Sequence, residues 1–334
     1  MFEKFPEIRI VSVTIVLVLT IIIAFYFNIN TNASGILDTG TTSQQQTYSF
    51  ATKWGDLGSG QGQFNQPSAV ALDSKTGNVY VTEERNNRVQ VFDSDGKFVT
   101  MWGTRGKGDG QFDKPHGIVV DPKTGNVYVA DNNGRIEEFT SDGKFITMWG
   151  SMGTAPGQFN HIHGDTIDFA GNVYVTDYQN GNVQKFTSDG KKLLLRFGQN
   201  GTGDGQFINP WGIAVHPKTG DIFVADSGNN RVQKFDSNGR FLMQWGGTGS
   251  GAGQLKEPGG LSLDSAGNVY LDDIKNHRVQ KFDSNGRFIT MWGSKGTGDS
   301  QFQHMHGIAI NPAGTIAYVS DIVNNNIQKF AAVG

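Results

Sequence analysis

Apolar and polar positions divide this chain into three stretches. From Ile10 to Phe27 the run IVSVTIVLVLTIIIAFYF carries no charge. As a helix it reaches roughly 27 Å, enough to cross a bilayer. Residues 28–47, NINTNASGILDTGTTSQQQT, are rich in Asn, Thr, Ser, Gln and Gly and read as a flexible linker. From residue 48 to 334, short runs of Val, Ile, Tyr and Phe alternate with clusters of Gly, Asn, Asp and Pro. Runs of that length and composition predict strands, and no window there carries a helical stripe.

The strands repeat. The Gln of a GQF-like phrase falls at 63, 111, 158, 206, 254 and 301, a period of 47 or 48 residues. Each unit runs from a Gly-rich loop into a Pro-x-Gly turn and a strand such as GIVVD. It continues through NVYVAD, an Asn-rich loop, RVQKF, a tight turn and KFITMWG. Asp95-Gly96, Asp142-Gly143, Asp189-Gly190, Asn238-Gly239 and Asn285-Gly286 mark that turn, because a tight hairpin needs positive φ. Six units of four antiparallel strands predict an all-β, six-bladed β-propeller. The sixth unit stops at NNIQKF (325–330), while SFATKWG (49–55) is a fourth strand lacking its first three. Pairing the two completes blade six and leaves no open strand edge.

The phrases P-x-G-I-A-V-D, N-V-Y-V-A-D and N-N-R-V-Q-K-F resemble the NHL repeat. The resemblance holds at 67–92, 115–139, 210–235 and 258–282, and more loosely at 162–186 and 305–330. It implies the propeller fold and leaves function open, since one fold hosts many activities.

Composition narrows the chemistry. There is no cysteine, so disulfides, iron–sulfur clusters, thiolate zinc sites and thiol nucleophiles are excluded. Any metal must be held by His, Asp, Glu or backbone oxygen. Without Glu3, Glu7, Lys4 and Arg9 the remainder holds 29 acidic and 26 basic residues, with no basic stripe. No nucleic-acid partner is expected. Lys4 and Arg9 precede the apolar run and no Lys or Arg follows until Lys53. That asymmetry predicts a membrane anchor through residues 10–27, within an N-terminal segment 1–27, with the rest of the chain extracytoplasmic. A cleaved signal segment ending near Ala33 is the alternative and predicts secretion. Asn32-Ala33-Ser34 and Asn200-Gly201-Thr202 fit the glycosylation pattern.

In a propeller the first strand starts, and the second ends, on the same face. The Pro-x-Gly positions there are Ser68, His116, His163, Trp211, Gly259 and His306. The ends of the second strands are Glu83, Asp131, Asp177, Asp226, Asp273 and Asp321. Both sets, with Asp165, are candidates for a ligand-binding face. Asp165 stands where other blades carry an apolar residue. The acidic set has a structural reading too: Asp followed by Asn and Arg, as in Asp226, Asn229 and Arg231, ties a loop to itself. Three imidazoles suit zinc, and calcium in the channel is the other possible ion. The arrangement resembles the peptidyl-hydroxyglycine amidating lyases, six-bladed propellers that hold zinc through three His. That resemblance implies His116, His163 and His306 as ligands, although here His116 and His163 lie on neighbouring blades rather than alternate ones. His161 and His304 are expected to be surface residues.

Two functions follow. The first is a binding or scaffold module for a protein, peptide or glycan at the channel face. The second is a metal-dependent lyase or hydrolase, amidating-lyase-like or lactonase-like. NHL propellers also occur in tripartite-motif proteins beside ubiquitin-ligase modules, but this chain lacks the cysteines such modules need.

Overall fold

The computed structural model describes residues 46–334. The expected anchor (1–27) and nearly all of the expected linker (28–47) lie outside the described residues, as does Asn32. Among the described residues, no helix is long and apolar enough to cross a membrane. The helical turns there are two three-residue 3-10 turns, Ser227–Asn229 and Ile274–Asn276.

Six four-stranded antiparallel sheets form the blades. Blade four is representative: Pro210–Val215, Ile222–Asp226, Arg231–Phe235 and Phe241–Gly246, in sequence order from the inside out. The inner strand of each blade lies against those of its two neighbours, and Met305–Ile310 of blade six lies against Pro67–Leu72 of blade one, so the ring is closed. The outer strand of blade six is Thr47–Trp54. It pairs antiparallel with Asn326–Val333, from Thr47↔Val333 to Trp54↔Ile327. The closure therefore takes the form the sequence predicts. It begins slightly earlier, with Thr47 of the expected linker already in the strand.

The close packing at the axis explains the glycine of Pro-x-Gly. A Cβ on Gly164 would lie 2.4 Å from the carbonyl oxygen of Trp211. One on Gly212 would lie 2.6 Å from Gly259 O, and one on Gly307 would lie 2.9 Å from Ala69 Cα. Five inner strands can approach so closely only because this position lacks a side chain. Blade one carries Ala69 there.

Between blades the seal is aromatic. Trp102 packs on Tyr80 of its own blade and on Phe139 of the next. It also covers the hairpin glycine Gly143, whose Cβ would meet the indole at 2.5 Å. Trp54, Trp149 and Trp245 repeat this against Gly96, Gly190 and Gly286, and Phe197 does so against Gly239. Blade six has no such hairpin, because its outer strand comes from the other end of the chain. There Tyr48 stacks on Trp292 at 4.2 Å instead.

Inside each blade a buried acid closes the second turn. Asp226 accepts hydrogen bonds from Asn229, Arg231, Gln233 and the backbone N–H of Ile208, at 2.7–3.0 Å. Arg231 donates onward to Gly203 O and Gln206 O, clamping the Gly-rich loop. Blades one and five repeat the arrangement through Glu83–Arg88 and Asp273–Arg278. Removing one partner of such a buried pair strands the other charge. Arg231→Ala is expected to cost about 3 kcal/mol in urea-induced unfolding. A loss under about 1 kcal/mol would mean the clamp is no more than a surface pair.

One buried acid breaks this order. Thr82 bonds Ala69 N of its own blade and His116 O of the next; Thr176 bonds Gly164 N and Trp211 O in the same way. Ser320 does likewise in blade six. In blade five the position is Asp272, fully buried, with neither carboxyl oxygen hydrogen-bonded. Burial, and then the charge of Asp321, hold its pKa well above the usual carboxylate range. A raised folded-state pKa means stability is intact below the unfolded value and falls as pH rises. Asp272→Thr is therefore expected to stabilise the fold, by about 1–3 kcal/mol, and by more at pH 8 than at pH 5. Urea midpoints that fall, or that shift equally at both pH values, would contradict this.

Candidate functional site at the channel mouth

The inner strands carry Ser68, His116, His163, Trp211, Gly259 and His306 to one end of the axis, and all six are buried. Their rings pack across the channel. Ring centroids are 4.8 Å apart for His116–His163, 5.7 Å for His163–His306 and 5.9 Å for His116–His306. Trp211 sits 4.2 Å from His163 and 4.8 Å from His306. The three imidazoles expected to meet do so, although their blades are unevenly spaced around the ring.

His161 is not the surface residue expected. It is half-buried, its ring is 4.5 Å from His163, and its Nε2 is 3.3 Å from Nε2 of His116. The local reason is in the backbone. In the four blades that keep proline, the residue before it (Gln66, Lys114, Asn209, Glu257) has φ of 50–59°. Blade three has Ile162 in place of proline, and His161 is outside that left-handed region. His304, before Met305 in blade six, is also outside it and half-buried; it helps to lower His306 but is in neither candidate ligand group.

The second-strand acids take a different place. Glu83, Asp131, Asp177, Asp226, Asp273 and Asp321 are buried within their blades and accept bonds from the Asn of their own loops or from Arg. This is the loop-tying geometry. The residue one step further on reaches the mouth instead. In blade one it is Glu84, whose Oε1 lies 3.4 Å from His116 Nδ1 and 3.7 Å from His306 Nε2. In blade three it is Tyr178, with its ring 4.5 Å from His163 and 5.5 Å from His161. Sequence reasoning missed both. The available signal was that blades differ at this step, with Glu84, Asn132, Tyr178, Ser227, Ile274 and Ile322, while the preceding acid is constant.

Burial governs the protonation of the cluster. It holds His116 and His163 well below the ordinary imidazole range, with the neighbouring imidazoles adding to the effect. Burial also brings His306 to about 3 and lowers His161. Burial raises Glu84 to about 7, against the pull of Lys114 and Arg85. At neutral pH the imidazoles are thus uncharged, with lone pairs free to bind a cation. Ser68 Oγ lies 3.0 Å from His306 Nδ1 and 3.5 Å from His116 Nδ1. Nδ1 of His163 is buried without a partner among the described residues.

Two groups have ligand atoms mutually within 4.8 Å: His116, His161 and His163, and Glu84, His116 and His306. The first has the better geometry. Two imidazole nitrogens on a tetrahedral zinc, each about 2.0–2.1 Å from the metal, stand about 3.3 Å apart. The His116–His161 Nε2 separation is 3.3 Å. Glu84 then faces the other nitrogen of His116, the relation by which a carboxylate orients a metal-bound imidazole.

The depressed imidazoles make acid destabilising. A base with a lowered folded-state pKa contributes stability above its unfolded value, and that contribution is lost as pH falls. His306, at about 3 when folded, takes up a proton on unfolding between about pH 6.5 and pH 3. His306→Gln is expected to flatten the fall in unfolding free energy over that window. An unchanged slope would place the acid sensitivity elsewhere.

Comparisons with known proteins agree with this architecture. A family model described as "NHL repeat" matches residues 64–92, 112–135 and 207–235. Among curated proteins, the B-box type zinc finger protein ncl-1 of Caenorhabditis elegans is 38% identical over 55 residues, and the protein brain tumor of Drosophila melanogaster is 34% identical over 55 residues. Each match spans 16% of this chain, but only 6% and 5% of those proteins. Among solved structures, a Bacteroides thetaiotaomicron protein of unknown function superposes with TM-score 0.68 at 17% identity, over 86% of this chain and 76% of that one. A streptogramin B lyase gives 0.59 at 15%, over 86% and 98%. A gluconolactonase from Xanthomonas campestris gives 0.61 at 14%, over 82% and 88%. At such identities the likeness is one of fold.

Proposed function

The chain is an NHL-repeat, six-bladed β-propeller, and from that premise we propose that its channel mouth binds a zinc-class divalent ion and serves a metal-dependent lyase or hydrolase reaction. The observation that carries this is the 3.3 Å approach of two neutral imidazole nitrogens, with a third imidazole beside them and a carboxylate behind. Three protein ligands leave one tetrahedral position open, the pattern of catalytic rather than structural zinc. His116, His161 and His163 would be the ligands in this reading, Glu84 would orient His116, and Tyr178 packs against His163 and His161. The ion would supply Lewis acidity there. Two of the fold neighbours are, by name, a lyase and a lactonase.

Metal analysis of the purified protein tests the assignment. One equivalent of zinc-class metal per chain is expected. It should be lost in His116→Ala and His161→Ala and retained in His306→Ala. Glu84→Gln is expected to weaken it by about 10–100-fold. Metal-free protein after incubation with zinc, or His161→Ala with undiminished binding, would sink the proposal. Loss in His306→Ala but not in His161→Ala would restore the ligand set implied by the amidating lyases.

A binding module for a protein, peptide or glycan is the second reading, supported by the NHL repeats themselves. The mouth is rimmed by polar residues that differ from blade to blade, including Lys114, Asn209 and Glu257. Display of this face outside the cytoplasm, through residues 10–27, belongs to both readings. Protease accessibility of the propeller in intact cells checks it.

A further inference from the structure

Below the imidazoles the channel holds a cavity of about 310 Å³. His163, Trp211 and His306 line one end of it, and the last residues of the inner strands, with Pro217 and Pro312, line the other. Between them each blade contributes one side chain to the wall. Five are aliphatic: Val70, Ile118, Ile213, Leu261 and Ile308. The sixth is Asp165.

Asp165 is half-buried, and its Oδ2 is out of reach of solvent with no hydrogen-bond partner among the described residues. Room for it exists because Gly117 faces it: a Cβ there would lie 2.7 Å from Oδ1. Among the described residues no Lys or Arg lines the cavity. The other acid in the lining, Asp264, is already bonded to Asn268 and Tyr270. At this level the channel thus sets a single unpaired carboxyl group among five aliphatic side chains. Such a group is costly unless something pairs with it.

We propose that the channel is a binding site for a small organic cation, a primary ammonium on an apolar body, whose ammonium sets against Asp165. Beside Asp165 the five equivalent side chains supply no oxygen, whereas a bare calcium ion takes six or more. An anion would meet the Asp165 carboxyl group with no Lys or Arg among the described lining residues to offset it. A neutral apolar molecule would leave Asp165 unpaired. The cavity is at the small end of ligand pockets, which suits a body of a few carbons. His163, a ligand in the metal reading, borders this cavity too, so the amine is titrated with and without zinc.

Calorimetric titration of the full chain with hexylammonium, hexanol and hexanoate tests the assignment, on both EDTA-treated and zinc-loaded protein. Saturable binding of one hexylammonium per chain is expected in both preparations, with hexanol and hexanoate at least about tenfold weaker. Asp165→Asn should lose at least about tenfold in hexylammonium affinity while keeping its metal content. If that variant fails to fold, Asp165→Ile provides the side-chain type that three other blades carry, and the same loss is expected. Equal binding of hexanol, or hexylammonium binding undiminished in the Asp165 variants, would overturn the proposal. So would calcium that binds at Asp165 and excludes the amine. A protein that binds the amine but no zinc would leave this proposal standing and remove the metal site.

Discussion

Six inner strands meet at one axis, and everything else in this molecule depends on how closely they meet. The closeness is set by the glycine of Pro-x-Gly. At Gly164, Gly212 and Gly307 a single methyl group would strike the backbone of the adjacent blade. Because these strands touch, the residue just before each glycine is delivered to the axis. His116, His163 and His306 come from separate blades, yet their ring centroids all lie within 6 Å of one another. A looser ring would seat the same side chains in separate pockets and no joint chemistry would follow.

The polar groups of the protein then sort into two kinds. The second-strand acids are bonded several times over inside their blades, by Asn, by Arg or Gln and by backbone N–H groups. Their chemistry is used up in holding loops, and this recurs around the ring. The groups at the axis are different. His163 Nδ1 and Asp165 Oδ2 are buried and unpartnered, and Glu84 is shared loosely between two imidazoles. Buried polar groups left in this state cost stability, and folding alone gives no reason to keep them.

Much of the fold was legible in the sequence because repetition multiplies weak signals. One Asp-Gly or Asn-Gly turn is a modest hint, but five such turns at a constant offset fix the hairpin. The split blade was legible because each end of the chain lacked what the other had, and Thr47–Trp54 pairing with Asn326–Val333 follows from that. The site was legible only as a ring. Sequence places His116, His163 and His306 at equivalent positions, but it does not show how Ile162 in place of proline turns His161 inward. Nor does it show which side of the second strand's end reaches the axis. Glu83 repeats in character around the ring, and its carboxylate ties its own loop. Its neighbour Glu84 does not repeat, and it is the one beside the imidazoles.

That contrast supplies a criterion for reading the molecule. In a ring of equivalent blades, a residue the architecture requires must recur, because each blade meets the same packing problem. The hairpin glycines, the outer-strand aromatics and the second-strand acids recur, and each has a structural partner to explain it. A residue that appears in one blade alone answers no shared need. Tyr178, Glu84 and Asp165 are of this kind, and all three lie at or just below the same end of the axis. Asp165 also carries a buried, unpartnered oxygen, as does the neighbouring His163 nitrogen. Independent drift would scatter such departures over six blades and both faces. Their convergence from blades one and three onto one short stretch of the channel is what a site requires, and it is the physical ground for looking for ligands there.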